Sequence, residues 1–211
     1  MTVQQINRLV RADRDLITEI VPRDSHVLDL GCGDGSLLAE LIARKGVEGH
    51  GIDIDEGNLI KCVEKGLSVC QHDLDVGLGD YPDDSYDYVI LNQTLQVIKK
   101  PENVIREMLR VGRKGIVGFP NFGHWVLRMK LLVSGRMPKS SSLPFEWYET
   151  PNIHQLTILD FREFCMTGNI DIIHEEYLIG GVWRTASLWR PFANTLALHG
   201  MFVIRQREKR R

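Results

Sequence analysis

The prediction of the fold rests on residues 27–38, which read Val27-Leu28-Asp29-Leu30-Gly31-Cys32-Gly33-Asp34-Gly35-Ser36-Leu37-Leu38. The first four residues form an apolar run interrupted by one acid, which is typical of a short buried parallel strand. Three glycines follow at alternate positions, where a positive φ and the close approach of another molecule are tolerated. From Ser36 to Ala43 the apolar residues recur at helical spacing. Strand, glycine turn and helix together predict the first βα unit of a nucleotide-binding sheet.

Carboxylates follow three predicted strands at the edge of the sheet that holds this turn. They are Asp29, Asp34, Asp53, Asp55, Asp73 and Asp75. Two like charges about 4 Å apart repel by roughly 4 kcal/mol at an effective dielectric of about 20, so a pyrophosphate is disfavoured and a cation is favoured. Position 36, where a dinucleotide site has its third glycine, is a serine. Any one of these acids is better explained as a loop end or a helix cap, but the ordered set predicts a positively charged nucleoside without phosphate.

Composition predicts one α/β domain over residues 1–211. Hydrophobic residues make up 43%, charged residues 26%, and the net charge is −2. The charge argues against a nucleic-acid partner, and no apolar run or leader indicates a membrane partner. The four cysteines have neither paired nor metal-ligand spacing, so we expect no metal, reduced thiols and a cytoplasmic location. The carboxylates around Cys32 should raise the pKa of its thiol.

The remaining elements follow from periodicity and from turn residues. Gln5 to Val21 is an amphipathic helix whose apolar stripe is interrupted by Asp13; we favour packing on the sheet over a lid. Asn92, Gln93 and Thr94 follow the fourth strand, and contact with a ligand or capping of the next turn explains them equally well. Further predicted helices are 56–65, 101–111 and 157–167, and further predicted strands are 50–54, 67–72, 86–91, 115–119, 170–179 and 196–204.

An insertion of aromatic and basic residues occupies residues 120–155 and predicts a cap over the ligand crevice. Its candidate substrate or cap contacts are Asn121, Phe122, His124, Trp125, Arg128, Trp147, Tyr148 and His154, together with Gln93 from the fourth strand. His124, Tyr148 and His154 are the candidate general bases, although nothing in the sequence pairs them with an orienting acid. Some of the aromatic residues alternatively close a small local core.

The run from Asp29 to Gly35 resembles motif I of the class I S-adenosylmethionine (SAM)-dependent methyltransferases. The resemblance implies a Rossmann-like α/β fold with a seven-stranded, mostly parallel sheet, an antiparallel last strand between the fifth and sixth, and helices on both faces. It also implies SAM or S-adenosylhomocysteine as the cofactor. By this resemblance the methionine end lies against Asp29, Gly31, Cys32, Gly33, Asp34 and Gly35. The position of Asn92 after the fourth strand makes it a further candidate cofactor contact. Asp53 would accept from the ribose hydroxyls, Ile54 would pack on adenine, and Asp73 with Leu74 would contact its amino group.

A narrower resemblance, over about residues 8–170, is to the methionine biosynthesis protein MetW family. It rests on residues 92–96, 119–125, 135–138 and 143–154, which read NQTLQ, FPNFGHW, GRMP and LPFEWYETPNIH. Residues 178–197 depart from the expected pattern. The resemblance implies an accessory subunit of homoserine O-acyltransferase, with a small-molecule methyltransferase as the alternative. A homodimer is left open.

Overall fold

A computed structural model describes residues 3–140, 143 and 145–207, with the backbone alone for residues 3–10. The strands are β1 (His26–Leu30), β2 (Glu48–Asp53), β3 (Ser68–Gln71), β4 (Tyr86–Asn92), β5 (Gly112–Pro120), β6 (Ile170–Ile179), β7 (Val182–Thr185) and β8 (His199–Gln206). The helices are α1 (Val3–Ile20), α2 (Ser36–Lys45), α3 (Glu56–Glu64), α4 (Pro101–Val111), α5 (Trp125–Ser134), α6 (Ile158–Thr167), α7 (Ala186–Trp189) and α8 (Ala193–Leu196). Short 3₁₀ turns cover Leu74–Val76 and Leu95–Val97.

The strands form one sheet in the order β3-β2-β1-β4-β5-β8-β6-β7. β1 to β5 pair in parallel, and β8 lies antiparallel between β5 and β6. The predicted α/β class and the antiparallel last strand are therefore confirmed. The sheet has eight strands rather than seven because β7 pairs antiparallel with β6 at its edge. Gly180 and Gly181 join them at φ of 61° and 81°, which suits a two-residue hairpin turn.

Alternate residues of the central strands pack on opposite faces of the sheet. Leu28 and Leu30 lie in the core that α4 and α6 cover, whereas Val27 lies in the core that α1 and α2 cover. Because successive side chains point to opposite faces, both faces of the sheet are apolar and both are covered by helices, as predicted. Asp29 shares the face of Val27, so its carboxylate lies on the side of α1.

Helix α1 agrees with the prediction, whereas the last strand differs from it in extent. α1 packs on the sheet through the buried side chains of Ile17 and Val21, as expected, and Trp183 Nε1 donates to the carbonyl oxygen of Ala12 at 3.1 Å. The last strand begins at His199 rather than at residue 196, because residues 193–196 close as one helical turn.

Among the described residues, no helix has both the length and the apolar character needed to cross a membrane. In the same part of the chain, no group of three His, Cys, Asp or Glu side chains could hold a metal ion. The four cysteines are all free thiols.

Candidate functional site

The turn between β1 and α2 is built from glycines at positive φ. Gly31, Gly33 and Gly35 have φ of 73°, 55° and 73°. The amide N–H of Gly31 donates to the carbonyl oxygen of Ile52 at 2.7 Å, which ties the turn to the end of β2. A Cβ on Gly31 would lie 2.5 Å from Thr94 Oγ1, so this position has no room for a side chain. The turn therefore leaves its backbone open to another molecule.

Asp29 and Asp53 lie at the ends of β1 and β2, next to the glycine turn. Asp53 accepts from the amide N–H of Gly33 at 2.8 Å through Oδ2 and from that of Asp55 at 2.9 Å through Oδ1. Each carboxylate oxygen can accept more than one hydrogen bond, so Asp53 keeps capacity for a diol. Burial, and secondarily the charge of Asp53, raises the pKa of Asp29 to about 7.

Asp34 differs from these two acids because it has a cationic partner. Its carboxylate accepts from the amide and hydroxyl of Ser36 at 3.1 and 2.7 Å and from Lys65 Nζ at 3.1 Å. Partial burial acts to raise its pKa, but the hydrogen bonds from Ser36 and Lys65 outweigh this and lower the pKa to about 2. Asp34 is thus ionised and neutralised by Lys65 at the rim of the site.

The remaining predicted acids stabilise local structure. Asp55 caps α3 by accepting from the amide of Asn58 at 2.8 Å. Asp75 accepts from the amide of Lys100 at 2.8 Å, at the start of α4. Asp73 accepts from the amide of Asp75 at 2.9 Å. The cap interpretation, considered for each acid singly, thus accounts for Asp55 at α3 and for Asp73 at the 3₁₀ turn, whereas Asp75 ties the chain before α4 through the amides of Lys99 and Lys100.

The other predicted cofactor contacts lie beside this edge. Ile54 is exposed directly after β2, whereas Leu74 is half-buried against the core. Cys32 is buried, and a Cβ on Gly51 would lie 2.8 Å from its sulfur. Burial, and then the charge of Asp29, raises the pKa of the Cys32 thiol, in the predicted direction but mainly through burial.

A cavity of about 330 Å³ opens beside the glycine turn. Its lining includes Arg14, Asp29, Gly31, Asn92 and Gln93. Among the described residues, Arg14 Nε and Asn92 Oδ1 are buried without a hydrogen-bond partner. One is a cationic donor and the other an acceptor, so the cavity offers complementary groups to a carboxylate and an ammonium.

The sequence prediction missed Arg14, although its spacing contained a signal. Arg14 lies four residues after Val10 and three before Ile17, within the apolar stripe of α1. A basic residue at such a position either extends to solvent or points into a polar site. The structure places Arg14 in the wall of the cavity beside the glycine turn.

A buried polar cluster of Asp13, Gln93 and His199 adjoins the cavity. Gln93 Nε2 lies 2.9 Å from both Asp13 Oδ2 and His199 Nδ1, and the last two atoms are 3.6 Å apart. Asp13 is only 1% exposed. Gln93 itself has φ of 57°, a conformation uncommon outside glycine. Asp13 and His199 were not predicted as site residues, because positions so far apart in sequence meet only through the fold.

The first residues of the predicted cap hold the chain in place. Asn121 is buried and donates through Nδ2 to the carbonyl oxygens of Asn194 and Ala197 at 3.0 and 2.9 Å. Its Oδ1 accepts from the amide of Gly123 at 3.0 Å, so Asn121 braces β5 against α8. His124 caps α5 by accepting from the amide of Val126 at 3.3 Å, and burial lowers its pKa.

The aromatic residues of the insertion lie elsewhere on the surface. Trp125, Arg128, Trp147 and Tyr148 are exposed, and the rings of Trp147 and Tyr148 meet edge to face at 5.6 Å. Phe122 lines a separate cavity of about 890 Å³ within the insertion. None of these residues is among those that line the cavity beside the glycine turn, within the described part of the chain.

His154 lies at the end of the insertion, where the chain returns to the sheet. Its amide and that of Ile153 donate to the carbonyl oxygen of Gln96 at 3.0 and 2.8 Å. Its side chain lines a groove of about 280 Å³ with Leu95 and Phe161. The three candidate bases are thus dispersed, and a cap over the crevice stays a prediction.

Comparison with known proteins identifies a family over most of the chain. Residues 11–204 match the family model described as methionine biosynthesis protein MetW. A curated relative from Rhodopirellula baltica, named bifunctional methionine biosynthesis protein MetXA/MetW, is 39% identical over 176 residues. The match covers 79% of this chain and 28% of the relative, so the chain spans less than a third of that protein.

Other relatives and solved structures share the fold more distantly. Phosphatidylethanolamine N-methyltransferase of Cereibacter sphaeroides is 34% identical over 99 residues, which cover 44% of this chain and 48% of that protein. A SAM-dependent methyltransferase of Thermotoga maritima superposes with a TM-score of 0.69 at 11% identity, covering 96% of this chain and 92% of that one. One from Mesorhizobium loti gives 0.67 at 16% identity, with coverages of 92% and 98%. These structures support the methyltransferase fold.

Proposed function

The chain belongs to the methionine biosynthesis protein MetW family, and from that premise we propose that it is a SAM-binding accessory subunit of homoserine O-acyltransferase. The observation that carries the proposal is the 39% identical relative whose single chain bears the names MetXA and MetW. Two domains on one polypeptide stay at a high effective concentration relative to each other. This arrangement is expected of proteins that act together. The family resemblance implies the acyltransferase as the partner.

The groups around the glycine turn fit a SAM-like ligand. Arg14 Nε and Asn92 Oδ1 would satisfy the carboxylate and ammonium of an amino-acid end, and both lack partners among the described residues. Asp53 would accept from the ribose hydroxyls beside Gly33, whose amide it already holds. Asp29 supplies buried negative charge near a sulfonium when ionised. When bound, SAM supplies an activated methyl group; the residues named here only bind and orient it.

The distribution of acid–base groups favours a binding role. His124 Nδ1 is occupied as the cap of α5, Tyr148 is exposed, and His154 lines a groove between other elements. None of the three is among the described residues that line the cavity. An acceptor that needs deprotonation would therefore find no base among the residues the sequence singled out.

A second candidate function, methyl transfer to a small molecule, is favoured by one observation. His199 Nδ1 lies 3.6 Å from Asp13 Oδ2 beside the cavity, which gives a histidine paired with an acid at the crevice edge. Such a pair can orient an imidazole as a general base. The side chain of Gln93 lies between the two groups and contacts both, so a structural role of this cluster is to fix the position of Gln93.

One experiment separates the two functions. The purified chain is titrated with SAM by calorimetry and with purified homoserine O-acyltransferase by sedimentation velocity, and acyltransferase activity is assayed with and without the chain. We expect SAM binding, a complex, and a change in acyltransferase rate. Methyl transfer to small molecules without any complex would instead establish the second function.

A further inference from the structure

Helix α5 exposes an apolar stripe on the side away from the protein. Leu127 is its one buried residue in the described structure. Leu131, on the side of Leu127, is 48% exposed, and Trp125, Met129, Leu132 and Val133 are exposed as well. The last four recur at intervals of four, three and one residues, which places them on one side of the helix. Leu132 and Val133 are 78% and 79% exposed. A contiguous exposed apolar face of this kind marks an interaction site.

Positive charge surrounds this stripe. Residues 125–139 contain two arginines and two lysines and no acid, in a chain whose net charge is −2. Lys139 forms a salt bridge with Glu146. Within the described residues, no carboxylate lies within 4.0 Å of Arg128, Lys130 or Arg136. The stripe is therefore bordered by three basic side chains that form no salt bridge within the described residues.

The surface continues from α5 into the segment that follows it. Lys130 Nζ donates to the carbonyl oxygen of Lys139 at 2.8 Å, and Lys139 in turn pairs with Glu146. Trp147 and Tyr148 follow directly and are exposed. The cavity of about 890 Å³ lies in this segment, lined by Arg136, Phe145 and Trp147 among others. We name the four apolar residues of α5, with Trp147 and Tyr148, the docking surface.

We infer that the docking surface binds the acyltransferase, through a partner surface that is apolar at its centre and acidic at its rim. The inference rests on the proposed function and adds the site of contact. Tryptophan and tyrosine are enriched among the residues that dominate binding energy at interfaces. The uncompensated arginines would meet carboxylates of the partner and accelerate encounter.

Charge also argues against one other occupant. An anionic membrane would attract the basic rim, but Glu146 and Glu149 flank the two exposed aromatic side chains and would be repelled. The relative that joins MetXA and MetW in one chain supports a protein partner.

Single substitutions test the surface without disturbing the core. Leu132→Glu places a charge on an exposed helical position and keeps helix propensity, so folding is unaffected. We expect it to weaken affinity for purified homoserine O-acyltransferase by at least ~10-fold, and Leu132→Met by less than ~3-fold. Leu188→Glu is the matched control, because Leu188 is 80% exposed on α7. SAM affinity, measured in parallel, should be the same in all three variants.

The outcomes distinguish this inference from the function on which it rests. If the unaltered chain forms no complex with the acyltransferase, both are overturned. If it forms one and Leu132→Glu binds equally well, the docking surface is wrong and the accessory function stands. If Leu132→Glu prevents the chain from sedimenting with phosphatidylglycerol vesicles but leaves the acyltransferase complex intact, the surface binds a membrane instead. Loss of a dimer in Leu132→Glu, with the complex retained, would assign it to self-association.

Discussion

The side-chain amide of Gln96 donates a 2.8 Å hydrogen bond to the main-chain carbonyl oxygen of Gln93. Gln93 lines the cavity beside the glycine turn, and the carbonyl oxygen of Gln96 accepts from the amides of Ile153 and His154. Gln96 is buried. One residue thus joins the wall of the proposed cofactor site to the end of the insertion that contains the docking surface.

This connection predicts that SAM changes the affinity of the chain for the acyltransferase. Coupling between two sites is typically ~1–3 kcal/mol, or roughly 5–150-fold in affinity, and it is reciprocal. We expect Gln96→Leu, which removes the hydrogen bond at similar volume, to reduce this factor while SAM affinity changes by less than ~3-fold. The test compares the affinity of the chain for the acyltransferase with and without saturating SAM. The fluorescence of Trp125 and Trp147 would report a change of the insertion on SAM binding. Equal affinities in both conditions would remove the regulatory idea.

Asp53→Ala should abolish most of the SAM affinity. Loss of charged hydrogen bonds to the ribose costs ~1.5–3 kcal/mol, which corresponds to roughly 10–150-fold in the dissociation constant. Asp55→Ala is the control, because Asp55 leaves the same strand end but caps α3, so it should cost ~1 kcal/mol of stability and no affinity. Calorimetric titration of both variants checks the assignment, and an unchanged constant for Asp53→Ala would contradict it.

The β1–α2 unit could be predicted because its determinants are local. Gly31, Gly33 and Gly35 adopt the positive φ that their spacing indicated, and strand residues alternate between two cores. The acids were harder to interpret, since Asp53 beside the site and Asp55 in a helix cap have the same sequence signature. Which of them holds a cap depends on the N-terminus of α3, which periodicity locates only to within a few residues.

The side chains that complete the cavity wall could not be predicted from local pattern. Asp13, Gln93 and His199 come from α1, the end of β4 and the start of β8, and only the sheet order brings them together. The extra strand β7 arises within residues 178–197, where Gly180 and Gly181 make the hairpin. We expected these residues to depart from the family pattern, but the family model matches the chain through residue 204. A pairing between distant residues is decided by tertiary packing, which no single window of sequence contains.

Arg14→Gln should weaken binding of SAM and S-adenosylhomocysteine to the same extent, by roughly 10–150-fold, because both present a carboxylate to the guanidinium. Binding of 5′-methylthioadenosine, which lacks the amino-acid end, should not change. Arg11→Gln is the matched control, as Arg11 lies three residues earlier on α1 and is exposed. A loss of methylthioadenosine binding in Arg14→Gln would show that Arg14 supports the fold of the site rather than the carboxylate.

Asp29 makes both stability and cofactor affinity depend on pH. Its pKa in the folded protein is about 7 against an ordinary value of 3.8, because burial and the charge of Asp53 disfavour the carboxylate. The folded state therefore holds a proton that the unfolded state releases, and stability falls as pH rises from about 4 through about 7. At ~1.4 kcal/mol per pH unit the loss is at most ~4 kcal/mol. A bound cation favours the ionised carboxylate of Asp29 over the protonated form. SAM affinity should therefore increase between pH 5.5 and pH 7.5.

Asp29→Asn separates these two effects. Without the ionisation, the variant should be more stable than the unaltered chain at pH 7.5 and lose that advantage towards pH 5, as followed by urea unfolding. Its SAM affinity should be weaker and should no longer rise with pH over the same range. Asp80→Asn, at an exposed position, is the control and should change neither property. A SAM affinity that rises with pH equally in Asp29→Asn and in the unaltered chain would assign the pH dependence to another group.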